Sequence, residues 1–517
     1  MKAMSKLTAI IIAILITSTA CSTDSLPDYT LTIEITPQGA GTTDPLPGSF
    51  SEGANLQLEA IPTENYLFDR WEGDLATESN PADLTMNSDK VITAVFKREP
   101  LTMGGDGSQS NPYQVHTLDD LAAIGLEENL DKHFIQVSDI DASKTIDPAE
   151  GQRFMGIGDE EHPFAGSYDG NGYTINNIVL NISTVKLHNG LFGYVKEGIL
   201  SNVRIVNNVD LSKTTDLFTV GKAQTESNEF NILTKNDILQ RSALGFLVGF
   251  NDGGYIDNCS VQAIVGGESR AVGGLVGINT GTIESSEFTG IVSSLNVGAG
   301  LVGINTGNIV DSSTDGRASG QTSAGLVGYN MNGEIINSFT TADVRSGFTV
   351  GGLVAHNSGQ IISSFSKENK IFDSTGVIGG LVGQNEGDIE NSYTLTDISI
   401  FLDQVLDIVS GGLVGENMSG GSVTNSFSAV TFDAPDEGTT AGLTGSNEGL
   451  LIDSYWDTET TGKSEGVGNG SPEGATGLTT AQMYGPAAEQ SMPGFDWVSI
   501  WRITEDGYPV LRWEEDN

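Results

Sequence analysis

Cysteine is nearly absent: Cys21 and Cys259 are the two in 517 residues, so no disulfide framework can organise the fold. Basic residues are scarce as well. Lys+Arg number 24 against 68 Asp+Glu, a net charge of −44. That balance excludes nucleic acid, whose phosphates need a basic face, and electrostatic docking on anionic lipid. Its plain reading is a solubilising surface suited to salty water, with a cation-binding surface as the alternative. The five histidines, His116, His133, His162, His188 and His356, are too dispersed for a zinc helix of the His-Glu-x-x-His kind or for a zinc cluster. The Gly-rich runs lack the Lys of a phosphate loop, and no Gly-x-Ser-x-Gly elbow precedes residues that could complete a triad. Long apolar runs are missing: outside 7–16, no stretch is apolar enough to span a membrane.

That single run has the features of an address. Lys2 and Lys6 precede it, and small residues follow to Cys21. A basic start, a ten-residue apolar core and small residues make a secretory signal over 1–20, too short to span as a stable helix. The box Ser18-Thr19-Ala20-Cys21 resembles a bacterial lipoprotein cleavage site, which implies lipidation of Cys21, although Ser18 departs from the aliphatic residue favoured there. A polar tether over 21–28 follows.

Glycine, by contrast, is abundant, at 66 residues, and it is ordered by a repeat. The phrase Gly-x-Leu-x-Gly-x-Asn, or a near copy, returns eight times. Its leucines are Leu247, Leu275, Leu301, Leu326, Leu353, Leu381, Leu413 and Leu443, at steps of 28, 26, 25, 27, 28, 32 and 30 residues. Four residues after each stands Asn251, Asn279, Asn305, Asn330, Asn357, Asn385, Asn417 or Asn447. Each unit holds three short apolar pieces, too short for helices and rich in β-branched residues. Such a period marks one rung of a solenoid. The expectation is all-β: a right-handed parallel β-helix, with rungs ~4.8 Å apart and a rod of roughly 45 Å. The leucines then form a core column. The asparagines form a turn ladder, since Asn tolerates left-handed backbone and stacked amides can bond one another. A second column, Asn258, Ser285, Ser312, Asn337, Ser363, Asn391, Asn425 and Asp453, reads as small polar turn formers. Cys259 takes a position held elsewhere by Ser, as a small buried residue.

Before the repeats, 29–97 alternates at period two and reads as a small β module. Its landmarks are Gly39-x-Gly41-Thr42, Ala60-x-Pro62, Tyr66-x-Phe68-x-x-Trp71-x-Gly73 and Val91-x-x-Ala94-x-Phe96. Together they resemble the divergent B-repeat module first described in internalin-type surface proteins. The resemblance implies a spacer or adhesive unit without a catalytic role, with Trp71 in its core. A linker over 98–112 leads to a short helix, with Thr117 as N-cap and Asp120 at N3, expected to cap the first rung. The solenoid spans 113–455, with an insertion near 211–240 looping out of one rung, and a C-terminal cap occupies 456–517.

The repeated phrases Gly-Gly-Leu-Val-Gly-x-Asn and Gly-x-Ile-x-Asn-Ser-Tyr/Phe, best at 379–393 and 411–427, resemble the GLUG motif of bacterial surface proteins. The resemblance covers roughly 111–513. It implies a secreted or anchored β-solenoid of the cell envelope, an adhesin or stalk, although some such proteins carry proteases elsewhere in the chain.

The expected function is therefore non-enzymatic: adhesion or display, binding an extracellular glycan or protein through the lateral face, with a lipid anchor to the outer membrane or cell surface. No cofactor is expected. A rival reading is a carbohydrate-active β-helix, lyase or hydrolase, with Asp139, Asp141 and Asp169 as its carboxylates. Arg270, Arg317 and Arg345 recur near the Leu phrase without fixed phase and read as surface charges. A further alternative is a calcium-stabilised scaffold.

Overall fold

A computed structural model describes residues 27–63, 66–98, 103–146, 153–182, 186–207, 241–400, 408–433 and 439–515. The signal, Cys21 and the 211–240 insertion lie outside the described residues. Contacts divide the chain into two compact units, parting between 102 and 103.

In the first unit, a four-stranded sheet joins Gly48–Ser51, Asp28–Thr36, Lys90–Arg98 and Tyr66–Gly73 in that order. A three-stranded antiparallel sheet joins Gly41–Asp44, Asn55–Pro62 and Ala82–Thr85. Period-two alternation places Leu31, Leu58, Trp71, Ile92, Ala94 and Phe96 in one core. Trp71 is 1% exposed, at the centre of that core. Gly41 is required there by contact: a Cβ would lie 2.3 Å from Phe96 Cζ.

The second unit is a parallel β-solenoid with three strand columns. One is a ten-stranded sheet running from Phe192–Lys196 to Val467–Gly470. A second has twelve strands, from Tyr113–Val115 to Leu450–Ile452. The third has twenty-one, in which short strands such as Ala271–Gly273 alternate with longer ones such as Glu287–Ser294. Every copy of the phrase bends from a short strand of the third sheet into the first. Glycine is needed at this bend because the chain folds back against its own backbone and against the backbone of the adjacent rung. A Cβ on Gly273 would meet Val276 O at 2.0 Å, and one on Gly277 would meet Gly249 O at 2.7 Å.

The helix Leu118–Ala123 carries a capping box, with the Thr117 side chain accepting from Asp120 N–H. Phe192 pairs directly with Val248, so Leu191 and Leu247 stand one rung apart, and much of the 56-residue step between them lies outside the described residues.

The C-terminal segment differs from a simple end cap. Val467–Gly470 and Ala475–Leu478 add strands to the solenoid's last rung. The chain then turns back along the side of the preceding rungs. There Phe339, Phe365, Tyr393 and Phe427 stack outward, one per rung, with the Tyr393 and Phe427 rings 5.1 Å apart and 3° from parallel, and Tyr455 follows in strand register. Met483, Met492, Phe495, Trp501, Leu511 and Trp513 cover this aromatic column. Trp513 Nε1 donates to Ser363 O at 2.9 Å. Glu514 accepts from Tyr393 OH at 3.0 Å and pairs with Lys367 at 3.0 Å. The hub of the cover is Asp457, fully buried, which accepts from Thr480 Oγ1 and Tyr508 OH, both at 2.6 Å. Burial pushes its carboxyl up, yet the bonds from Thr480, Tyr508 and the Thr460 and Glu459 N–H groups outweigh burial and hold it below its ordinary value.

Candidate functional site

The repeated residues are occupied by architecture. All eight leucines of the phrase are fully buried, and Leu353 N–H donates to Leu381 O at 2.9 Å in the rung-to-rung pattern they share. The asparagines form one directional ladder. Asn251 Nδ2 donates to Asn279 Oδ1, and the chain continues through Asn305, Asn330, Asn357, Asn385 and Asn417 to Asn447, every link 2.7–2.9 Å. Asn447 Nδ2 ends it on Ser471 O at 2.7 Å. Six of the amides, from Asn251 to Asn385, also hold their local turn, as Asn305 does with Gly307 O at 3.0 Å.

Two details depart from the expectation. The ladder asparagines do not have left-handed backbone. That conformation belongs to the second column: Asn258, Ser285, Asp311, Asn337, Ser363, Asn391, Asn425 and Asp453, with φ between 43° and 51°. Ser312 is thus replaced in that column by Asp311. Ser312 instead buries its hydroxyl on Val310 O at 2.8 Å, in the inner column that Ser286 and Ser338 share. Cys259 stands at the head of this same column, 1% exposed, its N–H donating to Ser286 Oγ. Burial pushes its thiol up to about 12.

The carboxylates considered for catalysis do not converge. Asp139 accepts from Thr174 N–H and hydroxyl at 2.8 and 3.0 Å. Asp141 accepts from Ser143 N–H at 3.0 Å, and these backbone and side-chain bonds hold its carboxyl below the ordinary value. Asp169 accepts from Asn171 N–H and Asn202 Nδ2 at 2.8 and 2.9 Å. Asp139 thus ties its strand end to the next rung, while Asp141 and Asp169 each fix a local turn. Arg270 is exposed, Arg317 stands beside Asp343 in the ladder, and Arg345 lies 5.1 Å over the Phe372 ring. Among the described residues, no three His, Cys, Asp or Glu side chains group closely enough to hold a metal ion. Among them, too, no helix is long and apolar enough to cross a membrane.

What varies lies inside the phrase, at the residue just before each Asn. In chain order it is Phe250, Ile278, Ile304, Tyr329, His356, Gln384, Glu416 and Ser446. These residues pair rung to rung along the ten-stranded sheet, continuing to Asn469. Over the first rungs the stripe is apolar and fully buried, packed with Ala243, Ala271 and Val297. From His356 onward it is polar and partly exposed. Tyr329 and His356 stack with centroids 4.7 Å apart and planes 13° from parallel. Tyr329 OH bonds Thr322 Oγ1 at 3.1 Å, and burial pushes the phenol up to about 12. The part of its ring that is buried also pushes His356 below its ordinary value. Gln384 Nε2 donates to Glu416 Oε2 at 2.6 Å. Reading the phrase as a constant missed this stripe. The signal was present in its variable letter, which changes from aromatic and aliphatic to His, Gln, Glu and Ser along the chain.

Residues 31–100 match the family described as Divergent InlB B-repeat domain. A stretch of 211 residues, 39% of this chain and 2% of the relative, is 28% identical to Halomucin of Haloquadratum walsbyi. Another of 160 residues, 31% of this chain and 15% of the relative, is 33% identical to a provisionally named Gly-rich membrane protein of Evansella cellulosilytica. The chain thus spans a small fraction of the length of either relative. A solved chain from Bacteroides ovatus, provisionally assigned as an immunoglobulin A1 protease, superposes over 79% of this chain and 94% of its own, with 17% identity and a TM-score of 0.36. A score that low carries no inference about activity.

Proposed function

We propose that this chain is a non-enzymatic scaffold of the cell surface or envelope, which binds an extracellular glycan or protein through the lateral face of its solenoid. The observation that carries the reading is the division of labour within the phrase. Leucine, glycine and asparagine are committed to core, bend and ladder, while the residue before each Asn changes chemistry and opens to solvent from His356 onward. A solenoid is suited to such work, since its frame can be kept while its surface varies. The B-repeat match and the two relatives, one named a membrane protein, support an envelope location. The GLUG-like phrases and the lipoprotein-like box at Cys21 support export and anchoring there. The reading treats Cys21 as the lipid-bearing residue and assigns the chain no cofactor.

The test is exposure and turnover on intact cells. Protease added outside the cells is expected to cleave the chain, and Cys21→Ser to abolish incorporation of labelled lipid and release the protein. Protection from protease would overturn the surface location, and labelling that persists in Cys21→Ser would remove Cys21 as the anchor. Release of reducing or unsaturated sugar ends by the purified chain would overturn the non-enzymatic reading.

A further inference from the structure

We infer that His188 and Glu160 form an acid-sensitive latch, which fastens segment 154–164 to the solenoid at neutral pH and releases it as pH falls. The device does not depend on what the lateral face binds.

Segment 154–164 lies at the outer edge of the ten-stranded sheet, whose first strand is Phe192–Lys196. Single bridges attach it: Phe154 to Leu180, Ile157 to Phe192 and Phe164 to Val195. Between the last two the chain makes a turn, closed by Asp159 N–H donating to His162 O at 3.0 Å. That turn carries Glu160. Its Oε1 accepts from the His188 N–H at 3.2 Å and lies 2.8 Å from His188 Nδ1. One carboxylate thus grips both the backbone and the ring of a residue 28 positions further along the chain.

The two partners stand in different surroundings. His188 is 1% exposed, while the Glu160 side chain is partly exposed. The imidazole packs against Tyr194 and Phe250, with ring centroids 5.5 and 5.1 Å away. Beside it is a cavity of about 10 Å³ between Gly156, Asn181 and Gly190, room for one water at most. An imidazolium could not be hydrated there without the segment opening. Asp252 faces the ring through the Tyr194 hydroxyl, which donates to it at 3.0 Å. Lys186, two residues before His188, is drawn to Asp159 at 3.7 Å and opposes a second positive charge. Glu160 and the Arg241 backbone favour protonation, but burial outweighs both and keeps the imidazole below its ordinary value. His162, on the same turn, is half-exposed and lies 3.7 Å from both Glu127 and Asp159, so it can take up a proton in place.

With the folded-state value of His188 below the unfolded one, the latch is complete above about pH 6.5, the ordinary histidine value. It weakens as pH falls from there toward the folded value. Opening would leave the Phe192–Lys196 edge without its cover.

Hydrogen exchange of the purified full chain, read by mass spectrometry as protection factors at about pH 7.5 and about pH 5, tests the latch. Protection of 154–164 is expected to fall roughly tenfold between them, while that of 297–309, in the middle of the solenoid, changes less than about twofold. His188→Phe suits the same aromatic surroundings and is expected to remove the pH dependence; His188→Gln replaces it where that variant melts early. Glu160→Gln is expected to lower protection of 154–164 at neutral pH by roughly threefold or more. His162→Gln is expected to behave as the parent. Four results would overturn the inference: equal protection of 154–164 at the two pH values, a fall that persists in the His188 variant, a fall that disappears in His162→Gln, or neutral-pH protection unchanged in Glu160→Gln.

Discussion

Asn330 stands in the middle of the amide ladder, and two substitutions there separate volume from hydrogen-bond direction. Its side chain is fully buried. Nδ2 donates to Asn357 Oδ1 at 2.8 Å and to Gly333 O at 3.0 Å, while Oδ1 accepts from Asn305 Nδ2 at 2.9 Å. Asn330→Ala removes these three bonds. It strands no neighbour, because Asn305 keeps Gly307 O, Asn357 keeps Gly359 N–H, and Gly333 O keeps Gln360 N–H. Three net bonds at ~0.5–1.5 kcal/mol each, with a small void, cost about 2–4 kcal/mol. Asn330→Asp keeps the volume and still accepts from Asn305, but it sets a carboxylate against Asn357 Oδ1 and Gly333 O. Acceptor facing acceptor in a buried site costs roughly 3–5 kcal/mol, more than the truncation. The new carboxyl has its folded-state pKa raised above its unfolded value. The Asp variant is therefore least impaired below the unfolded value, and its penalty is complete once pH exceeds the folded value. Calorimetric melts of parent, Ala and Asp forms at neutral and acid pH read this directly. Equal losses for Ala and Asp at neutral pH, or a loss under ~0.5 kcal/mol for either, would refute the directional ladder.

Leu381→Asp places an unpaired charge in the fully buried leucine column and is expected to cost at least about 4 kcal/mol; a melting temperature unchanged within error would contradict the register. Cys259 is expected to resist an aromatic disulfide reagent in the native state and to react on denaturation, and rapid native labelling would place it elsewhere than in the inner column. Asp457 has its folded-state pKa depressed, so its contribution is present above the unfolded carboxylate value and is lost as pH falls through the lower folded one. The fluorescence of the indoles Trp501 and Trp513 should report loosening of the C-terminal cover in that acid range, with Asp457→Asn losing the pH dependence. A transition that persists unchanged in Asp457→Asn would assign it to another group.

The solenoid was legible because its leucine and asparagine recur at a nearly fixed step, and a period survives in sequence whatever fills the gaps. The short helix was legible from Thr117 and Asp120 because a capping box is local. What was not legible depends on contacts distant in sequence or on one-residue phase. Asp311 and Ser312 are adjacent small polar residues, and composition does not say which turns left-handed and which points inward. The aromatic residues Phe339, Phe365, Tyr393 and Phe427 read as apolar ends of short strands. Their outward stacking becomes intelligible once residues such as Trp513, 150 positions from Ser363, are seen to cover them. The stripe escaped notice for the opposite reason: it lay inside the motif itself, in the letter that a consensus discards.

The most direct test of the division between frame and stripe is the melting temperature of a fourfold variant, His356→Ile, Gln384→Ile, Glu416→Ile and Ser446→Ile. Isoleucine already fills this position at Ile278 and Ile304, where it is fully buried within the same sheet. If the polar stripe serves ligand and not fold, the variant melts at or above the parent temperature. A fall as large as that of Asn330→Ala would show that these side chains hold the solenoid together, and would contradict their release for binding.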